Sequence, residues 1–132
     1  MTALVVRRLL IELETPFPGR WNGGDGFRSA FFNALSLSFP AGEQFFIDAV
    51  RAGLKALPED KRAAMAAEVQ GFIGQEATHR RIHALFNENL ERLGYDNEIE
   101  RRATARRAAH EGDDLRNKVA ATRRSPALAV WR

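Results

Sequence analysis

Taken in alternating steps of four and three, one stretch of the chain reads Met65, Val69, Phe72, Glu76, His79, His83, Phe86 and Leu90. That spacing is the seam of a long bundle helix, one side chain after another turned toward the same partner. Its ends are apolar, but its centre is Glu, His and His in succession. Ionisable groups on a core-facing seam are costly unless they are paired or held by a cation. A fold for this chain must therefore cover the seam and also satisfy the polar groups at its middle.

The rest of the chain supplies a partner. Residues 16–26 are rich in Pro and Gly and read as loop, with Asp25 placed to cap a following helix. From about Phe27 to Leu57, Phe32, Leu35, Phe39, Phe46, Val50, Leu54 and Leu57 recur three or four apart, which predicts helix. Pro40 interrupts it, so this region is either one kinked helix or two helices with Pro40 near the second start. Leu57-Pro58-Glu59-Asp60 is the next break and a suitable helix start. The seam helix then runs from about Pro58 to Arg92, with Gly94 as its stop, a span on the order of 50 Å.

After Asp96 the composition changes. All nine phenylalanines lie before residue 87, and the tail is rich in Arg and Ala. Glu98–Ala121 reads as weak helix and Thr122–Arg132 as frayed. The predicted organisation is a helical half-bundle over 1–95 and a divergent, truncated or poorly ordered tail over 96–132. Residues 1–95 carry 11 Lys/Arg and 11 Asp/Glu, whereas residues 96–132 carry 9 and 6, so the whole excess of +3 sits in the tail. Trp131 is the tail's one aromatic besides which no stacking platform exists, so a nucleic-acid partner is not expected. No apolar run approaches the ~20 residues of a membrane span. The apolar stretch near Met1 is broken by Arg7 and Arg8 and does not read as a signal peptide. The absence of cysteine removes disulfides and thiolate ligands, and a cytoplasmic protein is expected.

Glu76 and His79 are i and i+3, so both side chains reach one ion from one helix face. Glu43 lies four residues after Phe39 and three before Phe46, on the stripe of the first helix. A carboxylate on one helix thus faces a Glu-x-x-His on the next, the arrangement used by di-iron and di-manganese bundle sites. Oxygen and imidazole donors suit a divalent Fe, Mn or Zn ion. The alternative is a register-setting ion pair between one of these carboxylates and a protonated His or an Arg. His83 is a further ligand, an orienting neighbour of a ligand, or a core histidine. Asp48 reads as a solvated charge. Arg80 either offsets carboxylate charge or lies on the surface, and His110 has no role.

Pro16-Phe17-Pro18-Gly19-Arg20-Trp21-Asn22, Phe39-Pro40-Ala41-Gly42-Glu43-Gln44-Phe45-Phe46 and Phe72-Ile73-Gly74-Gln75-Glu76-Ala77-Thr78-His79-Arg80-Arg81-Ile82-His83, with Phe31-Phe32-Asn33-Ala34-Leu35-Ser36 between them, carry a resemblance. Over about residues 5–95 the chain resembles the bacterial family described as predicted metal-dependent hydrolases. The resemblance implies an all-α, ferritin-like four-helix bundle, of which this chain holds a long-helix hairpin, the first half. It places Glu43, Glu76 and His79 where the first-half ligands of longer members sit, with a second half supplying the rest. It implies metal-activated water attacking a small-molecule substrate. The ligand pattern equally suits a ferritin-like di-iron oxidase or oxygenase, and a chain lacking the second set could be a truncated, non-catalytic helical fragment. A homodimer would complete the site, since two hairpins bring four carboxylates and two imidazoles.

Overall fold

The computed structural model describes residues 11–124; the apolar N-terminal stretch and residues 125–132 of the segment read as frayed lie outside them. The described residues form four helices and no strand: α1 (Gly26–Lys55), α2 (Glu59–Arg92), α3 (Glu98–Ala109) and α4 (Leu115–Arg124). The fold is all-α, built on a hairpin of two long helices.

α1 starts where Asp25 caps it, its carboxylate accepting from the Arg28 N–H at 2.9 Å. It continues through Pro40 as one helix. Of the two readings of Pro40, the single helix is the one observed. α2 begins after Pro58, with Glu59 and Asp60 in its first turn against the positive helix end. It ends in a Schellman motif: Gly94 takes φ +87, its N–H donates to the Glu91 carbonyl, and the Tyr95 N–H reaches back to the Leu90 carbonyl. A side chain at Gly94 would be strained by that φ, which is why the sequence turns there on glycine.

α2 buries the seam the spacing predicts. Val69, Glu76 and Leu90 are buried and Phe72, His79, His83 and Phe86 are half-buried, while Met65 at the open end is exposed. α1 differs from expectation by one position. Its buried row runs Ser29, Asn33, Ser36, Pro40, Glu43 and Ile47, whereas Phe32 and Leu35 are exposed. Three of its polar members, Ser29, Asn33 and Ser36, find partners. Trp21 Nε1 donates to Asn33 Oδ1 at 2.9 Å, Ser29 Oγ donates to the Asp25 carbonyl at 2.7 Å, and Ser36 bonds to α2. The loop before α1 is equally committed. Phe17 stacks on Phe86 at 4.9 Å and Trp21 meets the same ring edge-on at 5.5 Å, so the loop seals that end of the hairpin.

The segment after Asp96 is two helices rather than one, broken at His110–Asp114. Both pack on α1 and neither packs on α2. α1 is therefore sandwiched, with α2 on one side and α3 and α4 on the other; Val119 lies 3.2 Å from where a Cβ on Gly53 would stand. Leu90 is 0% exposed at the hairpin core. Leu90→Ala should lower unfolding free energy by about 3 kcal/mol in a denaturant titration, whereas Met65→Ala, at a residue 43% exposed, should shift the midpoint far less.

Candidate metal centre

Glu43 from α1 and Glu76 and His79 from α2 each offer a donor atom, and these atoms all lie within 4.8 Å of one another. Among the described residues they are the His/Asp/Glu group with that geometry. Glu76 and His79 come together because they are one turn apart on one face of α2. Glu43 meets them because it shares the buried row of α1 that packs against that face.

Both carboxylates are 5% exposed. Glu43 Oε2 is buried with no hydrogen-bond partner. A buried acceptor left unmatched is costly, and a second carboxylate beside it makes the cost greater. Burial, and then the charge of Glu76, push the Glu43 carboxyl from 4.5 up to about 8, against a smaller opposing pull from Arg80. Burial raises Glu76 as well. Arg80 thus acts on the site by its field, in line with the reading that it offsets carboxylate charge. Burial lowers the His79 pKa and keeps that imidazole neutral, the form that can ligate. Gln75, one turn earlier, brings its Nε2 to 3.1 Å from His79 Nε2.

This set fits a divalent cation. The donors are two oxygens and an imidazole nitrogen, and a cation would supply the positive partner that Glu43 Oε2 lacks. His83 is placed otherwise. It does not join the group of converging donors; its Nδ1 lies 2.9 Å from Ser36 Oγ on α1, and Phe39 meets the ring edge-on at 4.6 Å. Burial, and then His79, push its pKa from 6.5 down to about 4. Ser36, which meets the His83 ring, and Asn87, which bonds to Ser36, are residues that apolar patterning in the sequence does not mark. A signal is present in the spacing: Ser36 lies seven residues before Glu43, and Asn87 lies four after His83, one turn on along α2. Asp48 is exposed and pairs with Arg51 and Arg107, and His110 pairs with Asp113.

A family model described as predicted metal-dependent hydrolase matches residues 5–130. The chain belongs to that family. The match runs through α3 and α4, past the 5–95 span over which the motifs carry the resemblance. The chain matches no curated protein and no solved structure. For this family member no helix among the described residues is long and apolar enough to cross a membrane.

The shifts of Glu43 and His83 give metal-free protein a defined pH profile. Glu43, with a folded pKa near 8 against 4.5, favours the folded state while protonated, and that stability is lost as pH rises toward 8. His83, with a folded pKa near 4 against 6.5, works in reverse and costs stability as pH falls below 6.5. Between 4.5 and 6.5 the carboxyl and imidazole slopes oppose, Glu76 adding to the first and His79 to the second, with each group contributing at most about 1.4 kcal/mol per pH unit. Above 6.5 only the raised carboxyls, Glu43 and Glu76, contribute a slope. Melting temperatures recorded in chelator should fall between pH 6.5 and 8, and Glu43→Gln should make that limb shallower. An identical limb in the variant would assign the titration elsewhere.

Proposed function

We propose that this chain binds a divalent cation through Glu43, Glu76 and His79 and uses it to hydrolyse a small-molecule ester, amide or similar bond. The observation that carries the reading is the partnerless, buried Glu43 Oε2 beside a second carboxylate and a neutral imidazole. Membership of the hydrolase family supports it. A bound divalent cation would supply Lewis acidity and make water a nucleophile near neutral pH. The residues do the rest. Glu43 and Glu76 bring the negative charge that holds the ion, and His79 adds a neutral donor that leaves the site able to polarise a substrate oxygen. Gln75 bonds to the His79 ring and fixes its plane. The walls of the α1–α2 hairpin keep the donors dry, which strengthens each of these interactions.

One chain brings three donors, half of the set that a two-metal bundle site uses. The proposal therefore includes a second copy. Phe27, Phe31, Phe32 and Leu35 form an exposed apolar strip on α1, 81%, 52%, 46% and 38% exposed. A strip of this kind on a helix already packed on two sides is suited to a two-fold contact that doubles the donor set. With four carboxylates and two imidazoles, a di-iron oxidase becomes the competing chemistry, favoured by the Glu-x-x-His geometry itself.

Zn2+ binding followed by calorimetry should show a site in the wild type that weakens at least 100-fold in Glu76→Ala/His79→Ala and markedly in Glu43→Gln. Metal binding unchanged by the double substitution would end the proposal. Sedimentation velocity should show a dimer that Phe27→Ser/Phe31→Ser converts to monomer; a wild-type monomer with and without Zn2+ would remove the second copy. Oxygen exposure after anaerobic Fe2+ loading should leave no oxo-bridged absorption band if hydrolysis is the reaction.

A further inference from the structure

Pro40 has no N–H, so the Ser36 carbonyl one turn earlier loses its intrahelical donor. Asn87 fills the gap from α2: its Nδ2 donates to the Ser36 carbonyl at 3.1 Å. This bond settles which end of the Asn87 amide is which. The other end, Oδ1, lies 2.7 Å from Ser36 Oγ and can only accept. The single hydroxyl hydrogen of Ser36 is therefore spent on Asn87. If it pointed at His83 instead, two buried oxygens would face each other at 2.7 Å with no hydrogen between them. Ser36 Oγ accordingly accepts from His83 Nδ1, 2.9 Å away, and Nδ1 carries the proton. Burial and the nearby His79 keep the ring neutral, and a neutral imidazole has one N–H. Nε2 is left as a bare lone pair.

The position of that lone pair matters. His83 is one turn beyond His79 on the seam of α2, and Ser36 is two turns before Glu43 on the buried row of α1. The hydrogen-bonded layer is next to the cluster of donors along the same helix interface. We propose that Pro40, Asn87 and Ser36 lock His83 as its Nδ1–H tautomer, so that Nε2 accepts a hydrogen bond from a water at the Glu43/Glu76/His79 centre and orients it. His83 is then a positioning residue and not a ligand. The orienting role rests on the metal-hydrolase reading; the tautomer does not.

Two-bond proton–nitrogen spectra of 15N-labelled, metal-free protein test the lock. The wild type should show His83 with Nδ1 protonated and Nε2 bare, and an Nε2–H ring there overturns the lock without any variant. Asn87→Leu frees the Ser36 hydrogen to donate to Nδ1, so the ring should switch to Nε2–H; Asn87→Asp retains an acceptor and should keep Nδ1–H. A purely packing role for Asn87 predicts no such contrast, and finding none overturns the proposal. On titration with Zn2+, the His79 ring should show a coordination shift while His83 Nε2 remains uncoordinated. Direct coordination at His83 Nε2 overturns the orienting role. An intact lock with no Zn2+ response at either ring retires the metal reading and the orienting role together, an outcome distinct from failure of the lock.

Discussion

A proline in the middle of a 30-residue helix leaves one carbonyl bare, and a single asparagine from the facing helix answers it. Much of the interior follows from that exchange. Because Asn87 must donate to the Ser36 carbonyl, the two helices are held in one register, and with it Ser36 is set opposite His83 and Glu43 near Glu76. An apolar contact would tolerate sliding and repacking. A buried carbonyl does not, since leaving it unmatched costs about 1–3 kcal/mol. The hairpin is thus specified by polar groups that have one satisfactory pairing, with apolar side chains filling the space around them.

The same interface carries an electrostatic load that the protein part does not discharge. Two carboxylates share a dry space, and the cation whose field reaches Glu43, Arg80, is on an exposed position. A carboxyl pushed up to about 8 is a group that holds a proton for want of anything better. A divalent ion would displace that proton and neutralise both carboxylates. His79 and His83, both neutral, complement this arrangement: they offer lone pairs where another positive charge would compete with an ion.

How much of this was legible in the sequence depended on the kind of residue. The seam of α2 was readable because its apolar members, Val69, Phe72, Phe86 and Leu90, mark the face and carry Glu76 and His79 with them. On α1 the apolar spacing points one position off the buried row, toward Phe32 and Leu35. Hydrophobicity points to phenylalanine and leucine, whereas the buried row is Ser29, Asn33 and Ser36. Those residues are inside because Trp21, Asp25 and Asn87 supply partners, and partners from other segments cannot be seen along one helix. Glu43 survived the error because it lies on the boundary both stripes share. Pro40 was visible as an interruption, but its compensation by a residue 47 positions later was not. The tail looked weak because Ala and Arg give little periodic contrast, yet its two helices find a surface on α1.

That surface has a bearing on motion. α3 and α4 lean on α1 alone, so they can detach without breaking any contact of α2. Local opening in proteins proceeds through cooperative units of unequal stability, and these two short helices, whose residues are mostly exposed, form such a unit. Backbone amides of α3 and α4 would then exchange with solvent deuterium well before those of the hairpin. The donor atoms would keep their spacing throughout, because everything that fixes them belongs to the slower unit.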